Sequence, residues 1–185
     1  MALQAPLSWA QVAALTLAGG FPPGDAVIAV SITEPESARI QDNVQQGQPY
    51  ASTGWGLWQI TPGNSEPQFG IDDAMLNGLN NARAAHAKFK GAGGFTPWTT
   101  WTHGLNNPYM PAAKAAVEVV ANLSAASLQH LIDRALAGDS SARWTPDATV
   151  RRIDRQLRHL LLRESRQLVN QRMILQRIGR PGWLP

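Results

Sequence analysis

The sequence AVIAVSITEPES occupies residues 26–37 and has six apolar residues in its first seven positions. Asp25 precedes it as a predicted helix N-cap, and Pro35 lies near its end. A helix that is apolar on all sides belongs in the core of a protein. We therefore predict a buried helix that carries Glu36, or alternatively Glu34, to the edge of a cleft.

Burial would give one of these two glutamates a chemical role. A carboxyl group among apolar side chains resists ionisation, so its pKa rises and it can donate a proton near neutral pH. The alternative is that both are solvated residues where the helix leaves the core. Pro35 removes an N–H group and is expected to tighten the helix or end it one turn early, which leaves open which glutamate faces the cleft. We favour Glu36, because Ser37 follows it and Glu34 would lie on another side of the helix.

The composition indicates a globular chain with a separate basic tail. A length of 185 residues allows one domain with a sizeable core and an appendage. Residues 1–149 carry 7 basic and 11 acidic side chains, whereas residues 150–185 carry 9 arginines and 2 acidic side chains. The absence of cysteine excludes disulfides and thiolate metal sites. We expect no membrane-spanning helix and no signal peptide, because no apolar run approaches about 18 residues and the N-terminus has no basic region.

Hydrophobic periodicity predicts a mainly helical body. Residues 39–67 are instead rich in Gln, Asn, Gly, Pro, Ser and Thr, which predicts a loop with at most a short hairpin around Gly54–Gly56. Besides the buried helix, cap residues and apolar spacing predict helices over residues 8–18, 72–90, 111–122 and 124–137, the last starting at Ser124 or Ser127.

The C-terminal part of the chain has a different pattern. Residues 138–149 have the composition of a linker, and residues 150–178 show apolar residues at helical spacing with arginine on the other faces. We predict a body over residues 1–137, a linker over residues 138–149 and a basic docking helix within residues 150–185. A helix that packs back on the acidic body is the first alternative. Binding to an anionic surface or a nucleic acid is the second.

Four short motifs follow one another along the body. They are Glu36-Ser37, the segment STGWGLWQI at residues 52–60, NARAA at residues 81–85 and FTPWTTW at residues 95–101, followed by a Gly/Tyr stretch. In this order they resemble the lysozyme-like lytic transglycosylases and the related goose-type lysozymes, over roughly residues 20–110. The sequence is most similar to the versions carried in actinobacterial bacteriophage tail proteins. The resemblance implies a lysozyme-like α+β fold and cleavage of the glycan strands of peptidoglycan.

The resemblance also implies a role for each matched residue. Glu36, with Glu34 as the alternative, would be the general acid, and Ser37 would orient its carboxyl group. Asn81 would tie the third helix to the active-site loop. Sugars present apolar faces and a rim of hydroxyl groups, which suits flat aromatic side chains beside amides and backbone groups. The residues implied at the glycan-binding cleft are Gly54, Trp55, Gly56, Trp58, Gln59, Asn81, Trp98, Trp101 and Tyr109.

The supply of carboxylates bears on the reaction type. An inverting hydrolase needs a second carboxylate roughly 6.5–9.5 Å from the acid to activate water. Between Ser37 and Ile71 the acids are Asp42 and Glu66, and Asp42 is the better placed. A lytic transglycosylase needs one glutamate, which acts first as acid and then as base while the sugar's own hydroxyl attacks. The scarcity of acids favours the transglycosylase.

Partners and location follow from the resemblance and the basic tail. We expect no cofactor and no metal, because the four histidines are not spaced as ligands. The expected partners are the glycan strand and, through residues 150–185, other virion tail proteins; we do not expect nucleic acid. Without a signal peptide, the enzyme would reach the wall in a phage tail or as an endolysin released through a holin. The alternative function is a non-catalytic tail or baseplate component with a lysozyme-like body for binding or spacing.

Overall fold

The structure is a computed structural model, and it describes residues 5–61 and 72–138. Helices dominate this part of the chain and no regular β-strand occurs in it, so the mainly helical fold class is confirmed. Short 3₁₀ turns occur at Tyr50–Ser52, Asp72–Leu76 and Asn107–Tyr109. The α-helices are α1 (Trp9–Ala18), α2 (Pro23–Ser37), α3 (Gly78–Ala92), α4 (Thr99–Thr102), α5 (Met110–Val120) and α6 (Ala125–Leu136).

Two predicted N-caps are confirmed. The Ser8 side chain accepts a hydrogen bond from the backbone N–H of Gln11, whose own side chain accepts one from the Ser8 N–H at 2.9 Å. Ser124 likewise accepts a hydrogen bond from the N–H of Ser127 and opens α6. These side chains satisfy N–H groups that have no partner inside the first turn of a helix.

Helix α3 begins later than predicted. The two aspartates at residues 72 and 73 start a 3₁₀ turn, and α3 itself starts at Gly78. The reason is local, because the Asn77 side chain accepts hydrogen bonds from the N–H groups of Leu79 and Asn80, each at 3.1 Å. Asn77 therefore outcompetes the upstream aspartates as the N-cap.

Helix α2 differs from the prediction at both ends. Its N-cap is Pro22 and not Asp25, which lies in the first turn, where its charge suits the helix dipole. Pro35 does not end the helix, which continues to Ser37 and closes with Ala38 in a left-handed conformation at φ 53°. A proline inside a helix costs about 3 kcal/mol locally. Burial of most of α2 against its neighbours offsets that cost.

The core is built around α1 and α2. Helix α1 packs against α2, α3, α5 and α6, and α2 packs against α5 and α4. Both helices are largely buried, which confirms the prediction of an internal helix over residues 26–37. The loop between α2 and α3 adds Leu57, Trp58 and Ile60 to the same core. The C-terminal end of α2 thus contacts this loop, since the Ser37 hydroxyl donates a hydrogen bond to the Leu57 carbonyl.

The loop after α2 contains much less sheet than a hairpin. Its β-structure consists of two isolated bridges, Val44 with Trp55 and Trp55 with Ile60. Two successive residues, Ala38 and Arg39, have positive φ angles of 53° and 60°, which turn the chain sharply away from α2. The Arg39 carbonyl then accepts a hydrogen bond from the Leu7 N–H at 2.9 Å, which fastens the turn to the segment before α1.

The predicted domain organisation includes residues that the structure does not describe. The chain divides into two units, Met1–Trp144 and Thr145–Pro185, and all described residues belong to the first. The predicted linker, apart from Gly138, and the predicted helix over residues 150–178 fall outside the described residues and stay predictions. Within residues 5–61 and 72–138, no helix combines the length and the apolar character needed to cross a membrane.

Candidate active site

Glu36 and Thr100 meet where α2 ends beside α4. The hydroxyl group of Thr100 donates a hydrogen bond to Oε1 of Glu36 at 2.6 Å. Glu36 is half-buried, because it lies in the last turn of a core helix. A short hydrogen bond to one carboxyl oxygen fixes the orientation of the whole group. The second oxygen, Oε2, is then the one left to carry or release a proton.

The surroundings of Glu36 raise the pKa of its carboxyl group above the ordinary value. Burial is the largest cause, since it disfavours the charged form. The hydrogen bond from Thr100 and the positive charge of Lys88 both act in the opposite direction. The balance leaves a carboxyl group that holds its proton longer than a solvated glutamate does, as a general acid must.

Glu34 has a different environment. It forms an ion pair with Arg39, and the same guanidinium donates to the carbonyl oxygen of Leu7. The Arg39 guanidinium also lies over the ring of Trp9, 4.5 Å from its centroid. Glu34 is therefore paired with the arginine that fastens the N-terminal segment. The structure favours Glu36 over Glu34 as the acid of the site.

Ser37 does not orient the Glu36 carboxyl group as the resemblance implied. Its hydroxyl oxygen lies 3.0 Å from the carbonyl oxygen of Thr33 and 2.9 Å from that of Leu57, and the residue is 2% exposed. The hydroxyl proton is therefore used between the end of α2 and the following loop. Ser37 connects these two elements, and Thr100 takes the orienting role.

Asn81 ties α3 to the loop, as predicted. Its Oδ1 accepts a hydrogen bond from the Trp58 N–H at 2.9 Å, and its Nδ2 donates to the Trp55 carbonyl at 2.9 Å. Asn81 is fully buried, so it does not border a cleft. Its contribution to the site is to hold the loop in place.

Two of the tryptophans implied to bind glycan are buried in the core. Trp58 and Trp98 are 1% and 3% exposed. The Trp58 indole N–H donates to the Ala29 carbonyl at 2.9 Å, and the Trp98 indole N–H donates to the Trp58 carbonyl at 3.0 Å. The two rings thus link α2, the loop and the start of α4, and both are almost fully buried. Their role is to place Thr100 beside Glu36.

The remaining aromatic candidates are partly exposed. Trp55, Trp101 and Tyr109 are each half-buried, and Tyr109 packs against Trp9 with ring centroids 6.3 Å apart. Trp101 packs against Phe95 at 5.9 Å. Half-burial leaves part of each ring on the surface, so these three residues remain candidates for stacking against a sugar.

The glycines and the glutamine of the predicted strip shape the loop itself. Gly56 has φ 73°, and a Cβ there would lie 2.5 Å from the Met75 carbonyl oxygen. Gly54 lets the Gln59 side chain approach, since a Cβ would lie 2.6 Å from its Oε1. The Gln59 amide nitrogen donates to the Gly56 carbonyl at 2.8 Å. Both glycines are buried, so the strip is a tightly closed turn and its backbone is less open than predicted.

Asp42, the predicted second carboxylate, lies in the turn after α2 and is half-buried. With Glu34 held by Arg39, Asp42 is the remaining candidate for such a role near the C-terminal end of α2. Among residues 5–61 and 72–138, no cluster of three or more His, Asp or Glu side chains is arranged to hold a metal ion.

Sequence reasoning missed Thr100 and Lys88. Thr100 lies inside the FTPWTTW motif, whose tryptophans were the residues implied to bind glycan. Lys88 follows Asn81 by seven residues, which is two helical turns, and so it lies on the same face of α3. That spacing is the signal that would have directed attention to Lys88.

Residues 13–100 match the family model of a lysozyme-like domain. The matched region includes Glu36, the loop, Asn81, Lys88 and Thr100, and it supports a lysozyme-like family for this part of the chain. A lysozyme-like domain in turn suggests a glycosidase that acts on peptidoglycan. No curated protein and no solved structure matches the chain.

A groove also exists elsewhere on the described part of the chain. It runs between the first two turns of α2 and helix α5, and none of the candidate site residues lines it. We therefore do not assign it to the site. Its lining is mostly apolar and includes Val27, Ile28, Met110 and Val117.

Proposed function

We propose that this protein cleaves the glycan strands of bacterial peptidoglycan, with Glu36 as the general acid. The observation that carries the proposal is the 2.6 Å hydrogen bond from Thr100 to a half-buried Glu36 whose pKa is raised. A carboxyl group that is held in one orientation and keeps its proton to higher pH than a solvated glutamate suits the protonation of a glycosidic oxygen. The match to a lysozyme-like domain supplies the substrate class.

The reaction that we favour is lytic transglycosylation. Glu36 donates its proton to the leaving oxygen, and the resulting carboxylate then accepts a proton from the sugar hydroxyl that attacks the anomeric carbon. One carboxyl group is enough for both steps. The ion pair between Glu34 and Arg39 supports this choice, because it engages the nearest other glutamate. Hydrolysis, with Asp42 activating water, is the alternative reaction.

Two matched variants test the assignment of the acid. Glu36→Gln and Glu34→Gln make the same chemical change two residues apart in α2. We expect Glu36→Gln to lower wall-clearing activity in zymograms by roughly 10²–10⁴-fold, the range typical of a lost general acid. Glu34→Gln should retain activity. Full clearing by Glu36→Gln would remove the catalytic assignment, and an inert wild-type protein would favour the non-catalytic tail component.

Mass analysis of the released fragments separates the two reactions. A transglycosylase leaves 1,6-anhydro ends, whereas a hydrolase leaves reducing ends. Asp42→Asn is the accompanying variant: it should stay active if the sugar hydroxyl is the nucleophile. Loss of activity by a folded Asp42→Asn variant, together with reducing ends, would establish hydrolysis.

We also place the enzyme in the virion, in a phage tail or tail tip, where it would open the host cell wall. The support is the resemblance to phage tail domains and the 9 arginines of residues 150–185, which suit docking to an acidic partner surface. Truncation after Thr149 tests this location. Docking predicts that catalysis is retained and incorporation into particles is lost. Loss of the folded body would instead indicate a tail that packs on it.

A further inference from the structure

Lys88 is a half-buried cation on α3 that has an aromatic partner in place of an acidic one. Its Nζ lies over the ring of Trp98, 5.1 Å from the ring centroid. Among the described residues the ion pairs join Glu34 with Arg39 and Glu118 with Lys114, so none of them includes Lys88. A lysine that is partly removed from water without an ion-pair partner is costly to keep, which points to a use for its charge.

Trp98 links the position of Lys88 to the segment that holds Glu36. The Trp98 ring beneath the ammonium group is anchored by its indole N–H on the Trp58 carbonyl at 3.0 Å. Two residues after Trp98, the Thr100 hydroxyl reaches Glu36 Oε1 at 2.6 Å. The same short segment therefore supports the lysine with one residue and holds the acid with another.

Lys88 and Glu36 act on each other through space. The positive charge of Lys88 lowers the pKa of Glu36, and the negative charge of Glu36 raises the pKa of Lys88. In each case burial is the larger cause and acts in the opposite direction.

Other charged groups lie on α2 and on the elements around it. On α2 itself Glu34 is paired with Arg39 from the adjoining turn, and Asp25 lies at the opposite end of the helix. Helix α1 and helix α4 carry no charged residue. On α5 the charges of Lys114 and Glu118 face each other at 3.9 Å, and the loop contributes Asp42. Lys88 is the cation whose charge acts on the Glu36 carboxyl group.

We propose that Lys88 is a positioning residue for the reaction, whose ammonium group stabilises the carboxylate form of Glu36 once the proton has been given to the leaving oxygen. This inference rests on the proposed function. A single carboxyl group that must act first as acid and then as base has to exist in both forms during one cycle. Burial alone would favour only the protonated form. Lys88 supplies the opposing charge without contacting the carboxyl group directly.

Direct titration of Glu36 by carbon-detected NMR tests the inference without relying on activity. Lys88→Met keeps the apolar stem over Trp98 and removes the charge, so the Glu36 carboxyl signal should titrate at higher pH than in the wild type. Lys88→Arg keeps the charge and should titrate as the wild type does. The matched control is Lys90→Met, because Lys90 is exposed on the same helix and its charge acts on His86. An unchanged Glu36 titration in Lys88→Met, or equal shifts in the methionine and arginine variants, would overturn the inference.

The reciprocal measurement covers the case in which Lys88→Met fails to fold. In Glu36→Gln the full-length protein keeps Lys88, and the Lys88 ammonium should lose its proton at lower pH than in the wild type. An unchanged Lys88 titration would contradict the coupling. Activity assays on the same samples separate the two proposals: coupled titrations in a protein whose Glu36→Gln variant still clears walls would leave the coupling intact and refute the proposed function.

Discussion

Replacement of Asn81 by alanine should destabilise the domain far more than the same change one residue earlier. Asn81 is fully buried and makes hydrogen bonds of 2.9 Å to the Trp58 N–H and to the Trp55 carbonyl. In Asn81→Ala the Trp58 N–H stays buried without that partner, which costs about 1–3 kcal/mol. The Trp55 carbonyl keeps its bond from the Ile60 N–H at 3.0 Å, so its loss is smaller.

With a small cavity left by the truncation added, the expected loss is about 2–4 kcal/mol. That is a large share of the roughly 5–15 kcal/mol that stabilises a typical domain. Urea unfolding measures the loss as a lower midpoint with an unchanged slope. The control is Asn80→Ala, at a half-buried position of the same helix, which should change stability by no more than about 0.5 kcal/mol. Equal midpoints for the two variants would refute the role given to Asn81.

Three further predictions concern Glu36 and the loop. The pKa of Glu36 is raised in the folded state, so its contribution to the free energy of unfolding is greatest below the ordinary glutamate pKa of about 4.3 and falls as pH rises from there toward the folded pKa. Glu36→Gln should therefore have a higher melting temperature than the wild type at pH 7 and the same melting temperature at low pH. A lower melting temperature of the variant at pH 7 would contradict this. Thr100→Val removes the hydroxyl that lowers the pKa of Glu36, so the alkaline limb of the pH–activity profile should move to higher pH, whereas Thr100→Ser should restore the wild-type profile. Gly56→Ala places a methyl group 2.5 Å from the Met75 carbonyl oxygen at a residue with φ 73°, and it should lower the free energy of unfolding by more than about 1 kcal/mol. Gly24→Ala is the control, because a methyl group there meets open space and should not lower it. Equal melting temperatures for the two variants would contradict the strain at Gly56.

Much of the helical framework follows from local sequence. Ser8 and Ser124 cap their helices as predicted, since a side-chain oxygen next to a helix N-terminus needs no distant partner. The start of α3 was predicted too early, because the two aspartates at residues 72 and 73 and Asn77 are all N-cap candidates, and Asn77 is the one that makes the capping hydrogen bonds. Helix α2 continues past Pro35 to Ser37 although proline favours an earlier end, because the packing that offsets the proline comes from other helices.

The sequence was likewise informative only in part about the residues of the candidate site. The resemblance named Glu36, but Trp58 and Trp98 were assigned to a sugar-binding wall and are core residues, as their indole hydrogen bonds to backbone carbonyls show. A sequence motif shows that a tryptophan is present but not whether its ring faces a ligand or the core, so the motif does not distinguish the two roles. The tail over residues 150–185 and its docking role stay predictions.

By itself, the sequence determined that residues 26–37 form an internal helix and that this helix carries a carboxyl group at its end. The apolar composition of this segment is sufficient for that prediction, because a helix that is apolar on all sides is stable only when it is buried. Only the tertiary structure decided which hydroxyl group holds that carboxyl and which cation acts on it. Thr100 lies 64 residues from Glu36 along the chain, and Lys88 comes from a third helix. Such contacts depend on how the helices pack, which no local pattern encodes.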